Sequence, residues 1–264
     1  MIELRKTLGK GPVRGFMEHG LSRTVIKYIA AFTMVIDHVG MLFFPITTFP
    51  GLLCRIIGRF TAPTMCFFLA EGYEYTTSRK KYILRLLIFA VLSQPAYALM
   101  NYGASIPPGE TAGSTIWKAF LHPDFNVLFT FLFSFLILYV YDMVPGFNRR
   151  CILMGLLLGA TMFCDWGLVA PLYVLAFHIY RENRRERLKW FVIITLGALA
   201  MYVMFCIASG KNWYGQLWEA GLFLFIPVLF LYNGKKGSGA AFHKWFFYIF
   251  YPLQALILWA VSFF

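Results

Sequence analysis

Between Val25 and Ile46 the chain reads VIKYIAAFTMVIDHVGMLFFPI, an apolar run that carries Asp37 and His38 side by side well inside it. A bilayer core of ~30 Å takes about 20 apolar residues as helix, so this run is long enough to span. An ionisable group at the centre of such a helix costs roughly 2.5–3.5 kcal/mol on insertion scales. Two of them in succession therefore require buried partners or a functional role. The rest of the chain must fold so as to supply one or the other.

The chain supplies ample apolar surface. Of 264 residues, 59% are hydrophobic, and the apolar runs follow one another closely enough to build one integral membrane domain over 1–264. The net charge of +12 lies in short loops. That distribution fits membrane topology and contact with the lipid bilayer, and no basic-aromatic surface suited to nucleic acid is present. Five cysteines, an odd number without metal-ligand spacing, read as small apolar residues, and no metal is expected. Residues 1–24 form a basic arm without a small-residue cleavage site before the first apolar run, which is retained as a helix.

After the first run, apolar segments are expected at about 52–74, 82–101, 125–143, 151–163, 167–180, 190–208, 217–232 and 244–262. The stretch 151–180 decides the topology. As two short helices turning at Cys164-Asp165-Trp166-Gly167, it keeps the basic loops at Gly146–Arg150 and Arg181–Lys189 on one side. Positive residues concentrate on the cytosolic side of membrane proteins. The expected fold is thus an all-α polytopic bundle of nine membrane segments, N-terminus cytosolic and C-terminus external. Segments of 13 or 14 residues reach only about 20 Å, which sets Asp165 at the floor of an outward-facing depression. Loop 102–124 is the longest external segment, with an interfacial helix around Ile116–Phe120.

This topology gathers polar groups in the outer half. His38 lies about 12 Å below the outer end of its helix and Arg59 about 10 Å below the start of the next. Asn126, Thr130 and Ser134 share one helix face at i, i+4 and i+8, and Asp165 joins them from the short turn. Pro63, four residues after Arg59, takes away the amide that would bond the Arg59 carbonyl and favours a kink. Pro95 does the same in the third segment. In the inner half, Glu71 and Glu74 end the second segment while Lys81 and Arg85 open the third, and Glu71 with Arg85 makes an inner-rim pair. Each group also has a structural reading: Asp37–Arg59 as a staple, and the Asn126 stripe as helix–helix glue.

Several pieces of sequence in order resemble the TraX family: IDHVG (Ile36–Gly40), LLCRIIGRFTAPTMCFFLAEGYEYT (Leu52–Thr76), KKYILRLLIFAVLSQPAY (Lys80–Tyr97), NVLFTF (Asn126–Phe131), DWG (Asp165–Gly167) and FYIFYPLQALIL (Phe247–Leu258). The resemblance covers most of the chain from about Lys27. That family includes the inner-membrane protein that acetylates the N-terminus of F-type conjugative pilin. The resemblance therefore implies a protein of the bacterial cytoplasmic membrane that takes acetyl-CoA as donor and an N-terminal amine as acceptor. The family pattern places His after Tyr-Pro-Leu in the last segment, where this chain has Gln254.

On that basis the expected activity is acyl transfer from cytosolic acyl-CoA to an amine or hydroxyl of a peptide or small-molecule acceptor at the outer half. Such chemistry needs a base and a donor to the developing oxyanion. His38 is the expected base, oriented by Asp165; Asp37 holds Arg59, and Arg59 or Asn126 meets the oxyanion. The CoA phosphates are expected on Lys80, Lys81, Arg85 or the Arg184-Arg185 loop, with Glu71 beside Arg85. Two other functions suit the same residues. One is a transporter or proton-coupled channel relaying through Asp37, His38 and Asp165. The other is a non-catalytic chaperone for a small membrane peptide.

Overall fold

A computed structural model describes residues 20–102, 113–114, 117–118, 124–237 and 241–262. The basic arm expected over 1–24 falls mostly outside the described residues, as does most of the loop 102–124 with its expected interfacial helix. Among the described residues the regular structure is helical: α1 Arg23–Phe43, α2 Phe49–Gly58, α3 Thr61–Tyr75, α4 Arg79–Tyr102, α5 Val127–Met143, α6 Phe147–Thr161, α7 Val169–Ile179, α8 Arg184–Ala208, a 3₁₀ segment Trp213–Phe225, α9 Ile226–Leu231 and α10 Ala241–Val261. Helix is found at each of the nine expected places. Four stretches are long and apolar enough to cross a membrane: Arg23–Phe43, Phe49–Tyr75, Arg79–Asn101 and Arg184–Ala208. The architecture is an all-α polytopic bundle.

Local chemistry sets the helix boundaries. Ser22 accepts the Val25 amide at the start of α1, and Thr48 accepts the Gly51 amide at the start of α2, satisfying donors that a helix N-terminus leaves orphaned. The second expected segment is interrupted where Pro63 predicts. Proline supplies no amide to the Arg59 carbonyl; α2 ends at Gly58, the Phe60 amide turns back to the Ile57 carbonyl at 3.2 Å, and α3 restarts at Thr61. Arg59 thus sits at a joint between two helices. Pro95, by contrast, lies within a continuous α4.

The pair of short helices also forms as expected, with a turn pinned from outside. The Phe125 amide donates to the Phe163 carbonyl and the Asp165 amide to the Phe125 carbonyl, each at 2.8 Å. Within the turn Trp166 has φ 64°, an uncommon left-handed conformation for a non-glycine residue. Two strand-like bonds to the start of α5 therefore hold Asp165 and Trp166 in place.

An aromatic core fills the centre of the bundle. Phe67, Tyr73, Phe135, Tyr173, Phe177, Phe191, Phe225 and Tyr232 are all buried and belong to one apolar cluster. The outer faces are apolar too: Phe32, Leu92, Leu156 and Met204 stand exposed, as a lipid-facing surface would have them. Helices α1, α2, α3, α4 and α10 enclose a cavity beside this core.

Asn126 knits α4 to α5. Its Oδ1 accepts the Leu128 amide at 3.0 Å and its Nδ2 donates to the Ala90 carbonyl and to Gln94 Oε1, both at 2.8 Å. The side chain is buried with its hydrogen-bonding capacity committed. Asn126→Ala should therefore lower stability by roughly 1–3 kcal/mol, the cost of a lost cap and unsatisfied buried partners. A clear drop in the thermal unfolding midpoint in detergent, with retained helix content at low temperature, is the expected result.

Candidate functional site

The cavity has a volume of about 520 Å³ and runs along one face of α1, from Lys27 through Ala31, Met34 and His38 to Met41. Those positions recur at helical spacing. Over the same length it passes from Arg23 at one end to Asp37, Arg55, Arg59 and Asp165 at the other.

At the Asp165 end a single carboxylate binds two guanidinium groups. Asp37 Oδ1 accepts from Arg55 Nη1 at 2.9 Å, and Arg59 Nη2 donates to Asp37 Oδ2 at 3.0 Å and to Oδ1 at 3.2 Å. A second carboxylate, Glu219 of the 3₁₀ segment, stands 3.6 Å from Arg59 Nη1. The Arg59 guanidinium carbon is 4.4 Å from the ring centre of Trp218 and 4.8 Å from that of Trp166; Arg55 is 4.5 Å from Trp218. Aromatic faces attract guanidinium groups, more strongly where water is excluded.

The helices approach closely here because glycine permits it. A Cβ placed on Gly58 would lie 2.1 Å from the Asp37 Cβ. The missing side chain lets α1 and α2 come near enough for Asp37 to reach both arginines.

His38 points into the same cavity and is anchored from α10. Its Nδ1 lies 3.1 Å from Gln254 Oε1 and 2.8 Å from Gln254 Nε2. If the amide oxygen accepts from Nδ1–H, the His38 Nε2 keeps its lone pair. If the amide NH₂ donates instead, Nε2 carries the proton. Gln254 accommodates either tautomer.

The structure brings together Asp37, His38, Arg59 and Asp165 as the sequence predicts, and it confirms the Asp37–Arg59 pair. Several other expectations need correction. Asp165 faces the cavity but makes no hydrogen bond to His38; the partner of His38 is Gln254. Asn126 is spent on α4 and α5, and the stripe it begins faces inward: Thr130 Oγ1 donates to the Asp165 carbonyl and Ser134 to the Thr130 carbonyl. The α5 residues that reach the cavity are Val127, Leu128 and Phe131. Nor does Glu71 pair with Arg85. It takes Arg23 Nε at 2.8 Å and the Tyr232 hydroxyl at 2.5 Å.

Among the residues expected to hold the donor phosphates, only Arg85 lines the cavity. Lys80, Lys81 and Arg185 are exposed and outside it, and Arg184 stacks on the Phe230 ring at 4.0 Å. Sequence reasoning passed over Arg55, Trp218 and Glu219. Arg55 precedes Arg59 by one helical turn, a legible signal, whereas Glu219 is a lone carboxylate masked by an otherwise apolar run. Elsewhere, His178 is held between Glu74 at 2.9 Å and Asp142 at 3.3 Å, with Arg181 on Glu74 at 2.5 Å. These three ligand-type side chains form a closed network with the guanidinium as counter-charge.

The family model for the TraX protein matches residues 22–262. The chain belongs to the TraX family. A "Probable fimbrial assembly protein FimC, serogroup H1" of Dichelobacter nodosus is 30% identical over 90% of this chain and 95% of its own length. "Uncharacterized protein RP591" of Rickettsia prowazekii (strain Madrid E) is 24% identical over 64% of this chain and 60% of its own length. No solved structure matches the chain. With its four long apolar helices, this TraX-family chain is a membrane protein.

The paired guanidinium groups give a direct stability test. Removing the charge from Asp37 leaves two enclosed cations without their shared anion, a loss on the order of 3–5 kcal/mol for a broken buried pair. Asp37→Asn should therefore lower the thermal midpoint in detergent far more than Arg55→Gln, which leaves the Arg59–Asp37 bonds in place. Equal small shifts in the two variants would show that Asp37 does not hold the site together.

Proposed function

We propose that this TraX-family protein is a membrane acyltransferase. It moves an acetyl or short acyl group from cytosolic acyl-CoA to an amine or hydroxyl acceptor, with the Arg23 end of the cavity facing the cytosol of a bacterial inner membrane. The observation that supports this reading is the cavity itself. One continuous, partly open space joins a cationic end to the His38 cluster, a layout suited to a donor and an acceptor that approach from opposite faces.

In the reaction the acceptor nitrogen attacks the thioester carbonyl carbon. His38 Nε2 takes the proton that the nitrogen loses, in the tautomer where Gln254 Oε1 accepts from Nδ1–H. The charge that develops on the carbonyl oxygen is met by the Arg55–Arg59 pair, pre-set by Asp37 and backed by tryptophan. Collapse of the adduct breaks the C–S bond, and the imidazolium returns its proton to the thiolate. An amide and free CoA leave. No metal enters the scheme. The fimbrial assembly name carried by the Dichelobacter relative supports a fimbrial subunit as the acceptor, and the resemblance to the TraX family points to its N-terminal amine.

The test is acetyl-CoA consumption by purified protein in detergent, followed as thiol release, with peptides bearing free or blocked N-termini. The wild type should release thiol and acetylate the free amine. His38→Ala should lower the rate at least ~100-fold, the scale of lost general-base catalysis, with an unchanged thermal midpoint. Full turnover in His38→Ala would remove the histidine from the mechanism. Substrate flux into liposomes without any acyl donor would replace the reading with transport.

A further inference from the structure

The cavity wall carries a lopsided charge. Its lining includes two carboxylates, Asp37 and Asp165, both at the His38 end, whereas the opposite end presents Arg23, Lys27, Arg85 and Lys236. Arg23 is satisfied by Glu71, whose other oxygen accepts the Tyr232 hydroxyl. Among the described residues neither Lys27 nor Arg85 has an ion-pair partner. Lys27 Nζ lies over two aromatic faces, Phe247 at 5.5 Å and Phe68 at 5.7 Å, with Arg23 and the Arg23-bound Glu71 as its charged neighbours. The guanidinium carbon of Arg85 is 5.3 Å from the Tyr82 ring centre, and its buried Nε makes no hydrogen bond. Enclosed cations without anions are costly, and this pair borders an open space rather than a packed interface.

We propose that Lys27 and Arg85 form a phosphate-binding subsite, with Lys236 at its rim, for a phosphate ester entering from the Arg23 end. Guanidinium and ammonium groups recognise phosphate oxygens through charge-assisted hydrogen bonds. In the context of the acyltransferase reading, on which this assignment of the ligand rests, the phosphate is that of acyl-CoA. The spacing suits it. Lys27 and His38 lie on the same face of α1, separated by about 16 Å at ~1.5 Å rise per residue, a span that an extended pantetheine chain covers. The phosphates would stay at the cationic end while the thioester reaches the imidazole. A phospholipid headgroup offers the same chemistry, as does free phosphate, so the ligand must be distinguished by experiment.

Binding of CoA, inorganic phosphate and phosphatidylglycerol to the purified protein can each be measured by calorimetry, without any acceptor. CoA should bind saturably and more weakly as salt rises. Lys27→Gln and Arg85→Gln should each weaken it about 10-fold, the loss of one charge-assisted contact. Lys27→Arg and Arg85→Lys should retain most of the affinity, which separates a lost contact from a misfolded protein. Lys80→Gln, outside the cavity, should bind as the wild type does. CoA affinity unchanged in both glutamine variants, or no binding of any of the three probes, would overturn the subsite. Phosphatidylglycerol binding that depends on Lys27 and Arg85, with no CoA binding, would uphold the subsite and reject CoA as donor. CoA binding with that dependence but no acyl transfer to any acceptor would uphold the subsite and reject the reaction.

Discussion

The structure around the cavity depends on one carboxylate holding two guanidinium groups in an apolar surround. Asp37 cannot stand in an apolar helix alone, and Arg55 and Arg59 cannot enter the bundle without an anion. Their union is possible because Gly58 removes the side chain that would hold α1 and α2 apart. It is placed where α2 ends, because Pro63 withholds the amide that would carry the helix past Arg59. Charge, glycine and proline thus act on the same few residues. Each would be a liability without the other two.

Around that knot the aromatic side chains do two jobs. Trp166 and Trp218 face the guanidinium groups and replace part of the hydration they lose. Trp166 reaches this position through a left-handed backbone, which the bonds between Phe125, Phe163 and Asp165 hold in place. Strained backbone persists where surrounding structure over-determines it, and such places concentrate at functional sites. Here the strain sits beside Asp165, which shares the cavity end with Arg55 and Arg59.

Much of this arrangement is legible in the sequence. Apolar runs gave the segments, the loop charges chose two short helices over one long crossing, and helical rise put His38 and Arg59 at similar depth. What failed was the assignment of partners. Depth along a helix fixes how far in a residue lies, not which way it turns. Asn126 lies at the expected level and faces α4, away from the cavity. Glu71 has two arginines within a similar rise, and the tertiary packing of α9 and α1 brought Tyr232 and Arg23 to it first. Glu219 was hidden by its neighbours. A segment that is apolar in bulk reads as scaffold, although one carboxylate in such a run requires a counter-charge as firmly as Asp37 does.

The two ends of the cavity differ in what they can exchange. At the His38 end Arg55 and Arg59 are both bonded to Asp37, so their positions are set by the protein itself. A reaction that builds negative charge on oxygen gains most from dipoles and cations that need no reorganisation. At the other end Arg23 is engaged by Glu71, whereas among the described residues Lys27 and Arg85 have no ion-pair partner. An amide at position 254 suits the first of these ends. A neutral side chain that can donate or accept adds no charge beside His38, and it holds the imidazole ring in either tautomer. An imidazole at the same position could itself take up a proton and would bring a second titrating group beside His38. Glutamine adds no such group.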